Sequence, residues 1–479
     1  MSTQVFPIHP VQVGSMPAVV PHGRYIYPPG LRLPLPCYAF HGFFRPDNPL
    51  LLFSHLTRYG RAAHYRVLLH DVLLLREPAD IQEVLIDKAA SFGKDRTQKR
   101  MKILLGEGMI TADGEKHKRG RRVAAPAFHR KRIERYATEI AEIAAGAGAA
   151  WKPGQELNIA AEMMRMALQI TARTLFDTEV TEEIQVINEQ VNIVMDLYTF
   201  LVALPRAEWL LDSPLPQMRR FRAAKKRLDA VVDGMIEARA AESRAYPGAL
   251  EERGDLLSML LAARDEGAGG DGLKLTTEEL RDQVLTLFLA GYETVANALS
   301  WTWLLLGQNP VAETRLHAEV DAVLGDRLPT LEDMPSLEYT AMVLSESMRL
   351  YPPAWAMGRE ALEDVAIGPY RIGKGTMVFF SQYIVHRDPR WYEDAESFRP
   401  ERFSAENKAA RPRFAYFPFG GGGRQCIGES FAWMEAVLAL TTLARQWRFV
   451  VDPEQRIEVQ PKITLRPKYG IQVTALPRK

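Results

Sequence analysis

The chain has 479 residues, 47% of them apolar, and its 60 lysines and arginines nearly cancel 59 aspartates and glutamates to leave a formal charge of +1. So even a balance excludes a surface built for polyanions, and no nucleic-acid partner is expected. Only two cysteines occur, Cys37 and Cys426, which excludes a disulfide framework and suits a reducing, cytoplasmic setting. No run of about 18 apolar residues could cross a bilayer and no signal peptide opens the sequence, so neither a membrane anchor nor export is expected.

The first 45 residues are dense in proline (Pro7, Pro10, Pro17, Pro21, Pro28, Pro29, Pro34 and Pro36), and such a segment should lie extended against the body. Val67 to Leu69 and Val72 to Leu75 flank His70-Asp71, which predicts a β-hairpin turning at that dipeptide. Pro78 opens a helix whose Ile81, Val84 and Leu85 share one face. Helical spacing dominates from Arg132 to Ala263, with Ile133, Tyr136, Ile140 and Ile143 in register. The glycine-rich stretch Gly267 to Gly272 spells G-x-G-x-x-G, but a helical segment precedes it and the next helix starts only at Thr276, so it is a loop. Thr276 and Glu279 form a capping box for a long helix, apolar on most faces, that runs to about Leu306 and should cross the core. The C-terminal pairs Ile457/Val459, Ile463/Leu465 and Ile471/Val473 alternate as strands do. Strands at both ends and a helical middle predict a mainly α, α+β fold.

Four motifs carry chemistry. Phe419-Gly420-Gly421-Gly422-Gly423-Arg424-Gln425-Cys426-Ile427-Gly428 precedes an apolar helix. Cys426 could be an inert thiol, a nucleophile, or the ligand of a haem iron, and the glycines could instead cradle a phosphate. The lack of a Gly-Lys-Ser/Thr tail weakens the phosphate reading, no histidine lies near to act as a base, and four costly glycines argue against an inert thiol. A haem ligand uses every part: amides and a helix dipole lower the thiol's pKa, Arg424 meets a propionate, Phe419 shields the sulfur, and Gly428 leaves room for the macrocycle. Ala290-Gly291-Tyr292-Glu293-Thr294 interrupts the long helix with a glycine, an acid and a hydroxyl. The residues are compatible with a proton relay opened by Gly291 and, equally, with a tolerated glycine beside a solvated acid. Glu346 and Arg349 lie at i and i+3 among apolar residues, and a buried pair there needs a third partner, for which Arg402 is the candidate. The basic run Gly114 to Arg122 is either a solvated face or a clamp in which His117 and Arg121, at i and i+4, grip carboxylates.

Taken in order from about residue 60 to 475, these motifs resemble the cytochrome P450 family. The cysteine loop matches its F-x-x-G-x-R-x-C-x-G, Glu346/Arg349 its E-x-x-R with Arg402 completing the triad, and Ala290 to Thr294 its A-G-x-[DE]-T. His117/Arg121 match [WH]-x-x-x-R, and Arg359, after Pro352-Pro353, matches a further propionate arginine. The resemblance implies one haem-binding domain over residues 1–479: a large helical body with small sheets, holding haem b through the Cys426 thiolate. It implies a monooxygenase that inserts one atom of dioxygen into a C–H or C=C bond and releases the other as water, with Glu293 and Thr294 delivering protons.

No flavin or iron–sulfur module is attached, so a separate ferredoxin, flavodoxin or flavin reductase should supply electrons. Lys116, Lys118, Arg119, Arg122, Arg411 and Arg413 are placed to steer an acidic donor. Leu104, Leu105, Met109, Phe200, Leu201, Leu289, Ala290, Trp355 and Met357 are the candidate pocket lining, suiting a fatty acid, terpenoid or steroid, although each also fits ordinary core. Two other functions compete. A haem-thiolate isomerase, dehydratase or peroxide-driven enzyme commonly lacks the acid–threonine pair, and a haem sensor would need an output module.

Overall fold

The computed structural model describes residues 20–38, 45, 47–178, 190, 193, 211–246, 248–265 and 275–478. The glycine-rich loop at 267–272 and the pocket candidates Phe200 and Leu201 lie outside them. What is described is mainly helical, with small sheets assembled from distant parts of the chain.

The helix Thr277–Gln308 organises the rest. Its capping box forms in both directions: Thr276 accepts from the Glu279 amide and Glu279 accepts from the Thr276 amide. From Gln283 to Leu306 it is buried except at Leu289, Ala290, Gly291 and Thr294. The buried stretch of the helix is therefore interrupted only near its middle. Its most extensive neighbour is the helix Ile159–Phe176. Gly291 permits that approach, since a Cβ there would sit 3.0 Å from the Thr171 methyl. The helix runs on through this point, so the expected local opening at Gly291 is not seen; the glycine answers to packing. The acid beside it is not solvated either, because Glu293 is buried.

A six-stranded sheet places Gly30–Pro34, Ala62–Val67, His70–Leu75, Met377–Phe380, Met357–Ala361 and Phe92–Gly93 side by side. The pairing of Met377–Phe380 with Val72–Leu75 is parallel and joins segments 305 residues apart (Met377 opposite Val72). A three-stranded sheet sets Gln472–Pro477 between Trp447–Val451 and Gln155–Asn158, so a short strand interrupts the stretch in which helical spacing dominates. The strands at 357–380 also escaped the periodicity, being only three to five residues long.

The first hairpin exists, but its turn is at Leu68-Leu69, not at His70-Asp71, because Val67 pairs with His70. Asp71 accepts from His64 and Arg66 on the opposite strand, at 2.9 and 2.8 Å, so the polar pair is held in the ladder. Leu68 accordingly takes a positive φ of 56°.

The helix Glu338–Leu350 supplies a fully buried ion pair. Arg349 donates to both oxygens of Glu346, at 2.7 and 2.8 Å, and to the carbonyls of His386, Ala395 and Ser397. Arg402 Nε lies 3.3 Å from Glu346, and the Arg399 amide donates to the same carboxylate. This cluster pins the segment before the cysteine loop onto the helical body. Glu346→Ala leaves a buried guanidinium without its countercharge, with an expected loss of about 3–5 kcal/mol in urea unfolding. A loss below about 1 kcal/mol, typical of an exposed pair, would show that the triad does not anchor the fold.

Candidate active site

The cysteine loop is shaped by its glycines. Gly420 and Gly422 have φ of 75° and 70°, and a Cβ on Gly422 would fall 2.0 Å from the Leu85 carbonyl oxygen. A Cβ on Gly421 would strike the Phe414 ring at 2.7 Å, whereas Gly423 faces open space. Three of the four glycines are therefore demanded by geometry. The loop closes when the Cys426 amide donates to the Phe419 carbonyl at 2.9 Å. It then feeds into the helix Glu429–Ala444, whose N-cap is Gly428.

The Gly428 amide donates to the Cys426 sulfur, and Arg121 also favours a thiolate, but burial outweighs both and pushes the thiol up to about 11. The expected depression of this pKa by the helix end is thus reversed: desolvation wins, helped by the adjacent Glu429 carboxylate. Although ringed by protein, the side chain remains open to a solvent-sized probe. A bound cation at the sulfur is what would make the thiolate the stable form.

On one side of this loop the predicted propionate residues gather. Arg121 donates to the Gln425 carbonyl at 2.7 Å, and Arg424 pairs with Asp113. His117 is buried and held down at about 4, chiefly by desolvation and then by Arg424 and Lys94, so its imidazole is neutral. Arg359 is buried and lowered to about 10 by desolvation and Arg424. One residue here was not anticipated: Lys94 is buried and lowered to about 7, first by desolvation and then by Arg424 and Arg359. Its signal in the sequence was faint, a lysine directly after the buried Phe92-Gly93 pair.

Lys94, Arg359 and Arg424 lie close enough together to disfavour one another's charge, and the acids beside them are Asp95 and Asp113. Buried cations in that state call for an anion. Two carboxylates beside a sulfur donor would match the propionates and iron of a haem.

The open middle of the long helix offers Leu289, Ala290 and Thr294. The Thr294 hydroxyl donates to the Ala290 carbonyl at 2.9 Å. Glu293 turns instead to the C-terminal hairpin, where it accepts from Thr464 and, at 2.8 Å, from Arg466. Acid and alcohol are neighbours in sequence but are not bonded to each other. Leu104, Leu105 and Met109 are buried in the main core, while Trp355 and Met357 are half-buried. Met357 lies against the cysteine loop, its methyl 3.1 Å from where a Gly420 Cβ would be. Trp355 donates to the Lys462 carbonyl.

Beneath the cysteine loop lies a hollow of about 740 Å³, whose walls include Phe419, Gln425, Trp433, Lys408 and Arg413. Of the six cations expected to steer a donor, Lys116, Lys118 and Arg119 are paired with Glu107, Glu115 and Glu279. Arg413 lines the hollow itself.

Residues 28–475 match the family model described as Cytochrome P450. The chain is 37% identical to cyclooctatin synthase of Streptomyces melanosporofaciens, over 93% of this chain and 94% of the relative. It is 36% identical to pentalenene oxygenase of Streptomyces avermitilis, over 86% and 90% of the two chains. It is also 36% identical to cyclooctat-9-en-7-ol 5-monooxygenase of S. melanosporofaciens, over 84% and 85%.

The charge surplus has a measurable signature in the haem-free protein. Lys94 binds its proton less tightly when folded (about 7) than at its ordinary 10.5. Between those values the unfolded chain holds more protons, so stability rises with pH. Urea midpoints should climb across this window, and Lys94→Met should remove one proton's worth of the slope. An unchanged slope would mean that Lys94 is not a buried cation.

Proposed function

We propose, for a chain that belongs to the cytochrome P450 family, that the substrate is a terpenoid and that Cys426 is the axial ligand of the haem. The protein is a haem-thiolate monooxygenase using dioxygen, a lipophilic substrate and electrons from a separate redox partner. Its cofactor is haem b with a cysteine thiolate ligand. When bound, that group supplies the activation of dioxygen for insertion into an unactivated bond.

The protein's own residues divide the remaining work. Both cysteines are exposed, but Cys426 sits where an amide faces its sulfur, while Cys37 lies on a short helical turn. Arg121, Arg359, Arg424, His117 and Lys94 would take the propionates, and the mutual repulsion among Lys94, Arg359 and Arg424 supports this assignment. Leu289 and Ala290 give the substrate an apolar wall, Thr294 presents a hydroxyl at the same open stretch, and Glu293 holds a carboxylate one residue away. The whole chain is read as one haem-binding domain.

The terpenoid reading is carried by one observation: relatives alike over more than four fifths of this chain are terpenoid-oxidising enzymes by name. Terpene hydrocarbons should displace the sixth iron ligand in optical titrations more tightly than fatty acids or steroids. Turnover should yield an alcohol whose oxygen comes from isotopically labelled dioxygen. Tighter binding and oxidation of a fatty acid or steroid would overturn the assignment. Cys426→Ser should abolish the thiolate signature of the reduced carbon monoxide complex, and Cys37→Ser should leave it intact.

For the electron donor, a ferredoxin or flavodoxin-type protein docking over the hollow beneath Cys426 is the reading supported by Lys408, Arg413 and Trp433 at its walls. Among the described residues no helix is long and apolar enough to cross a membrane, and a cytoplasmic site of action is part of the same proposal. Arg413→Glu should slow reduction by an acidic donor about tenfold at low salt, with substrate titrations unaltered. Stopped-flow reduction indifferent to both this change and ionic strength would rule out steering at this face.

A further inference from the structure

The partner of Glu293 comes from far along the chain. Val459–Pro461 and Leu465–Pro467 form a two-stranded hairpin, and Thr464 and Arg466 both reach the same carboxylate oxygen. Arg466 also brings its Nη2 to 2.8 Å, making a buried ion pair with side chains 13% and 6% exposed. Asn297, one helical turn beyond Glu293, donates to the Thr464 hydroxyl at 3.2 Å. Trp301, a further turn along, donates to the Leu465 carbonyl at 3.0 Å. The hairpin is thus fastened along three successive points of the long helix, and the same turn meets Trp355 through Lys462 and Pro353 through Leu465.

A carboxylate that accepts from two donors in a buried site has its orientation imposed by them. Here the imposed orientation leads away from Thr294, whose hydroxyl is committed to Ala290. The charged and titratable groups facing Glu293 are Arg466 from the hairpin and Tyr292 from its own helix, the latter raised by burial and by Glu293 itself.

We propose that Arg466 is a positioning residue for proton delivery: its guanidinium, with the Thr464 hydroxyl, holds the Glu293 carboxylate on the hairpin and withdrawn from Thr294 until the pair opens. The C-terminal hairpin thereby holds the proton-relay acid. This rests on the reading that Glu293 takes part in delivering protons, and the two ideas separate in experiment.

In the haem-loaded protein, the infrared carboxylate band of Glu293 is identified by its loss in Glu293→Gln. That band should shift in Arg466→Gln and return towards its original place in Arg466→Lys. In turnover, Arg466→Gln should change kcat about tenfold with KM nearly constant, since it acts on a step after binding. The acid limb of its pH profile should move to higher pH, as removal of a cation beside a carboxylate requires, and more of the consumed electrons should leave as peroxide. Thr464→Val, which keeps the cation, should give a smaller change in the same direction. An unmoved band and profile in Arg466→Gln, with Glu293→Gln still impaired, would overturn the role of Arg466 and spare that of Glu293. An unimpaired Glu293→Gln would sink the relay reading, and the role of Arg466 with it, whatever the band does.

Discussion

The fully buried Arg349–Glu346 pair is the constraint on which the rest depends. Two charges without solvent are tolerable only when every remaining hydrogen-bonding position is filled, and the chain fills them with the carbonyls of His386, Ala395 and Ser397 and the amide of Arg399. Those backbone groups belong to the segment leading into the cysteine loop. Satisfying one ion pair therefore fixes the course of about fifteen residues that have little regular structure of their own, and leads the chain into the loop that carries the sulfur.

The haem site follows the same logic in reverse. Where the triad completes its electrostatics internally, the cluster around Lys94, Arg359 and Arg424 does not, and is left with more cations than carboxylates. One buried charge group is closed and holds the fold; the other is open and holds a ligand. Both use arginine, whose charge survives burial better than a lysine's, and the lone lysine is the group most displaced from its ordinary value.

Much of this was legible from the residues. The capping box at Thr276, the glycines of the cysteine loop and the E-x-x-R spacing depend on contacts within a few positions, and local chemistry is what a sequence displays. The turn at Leu68-Leu69 was misplaced because Asp71 has its partners across a ladder. Gly291 invited a reading of helix opening, but its reason is Thr171 on another helix. The thiol of Cys426 went the opposite way from the helix-dipole argument because desolvation, invisible in a string of letters, is the larger effect. Lys94, Thr464 and Arg466 were missed for one reason: each acts on a group from a distant segment.

The sheets that join distant segments also bear on how the protein comes into being. Gln155–Asn158 cannot complete its sheet until Gln472–Pro477 has been synthesised, and Val72–Leu75 waits for Met377–Phe380. Closing such large loops is slow compared with forming helices. During translation the helical middle can organise early, while both sheets stay unfinished and their edges unpaired. A chain stalled near residue 450 would carry the cysteine loop and its anchoring cluster but would lack Gln472–Pro477, the strand that joins Trp447–Val451 to Gln155–Asn158.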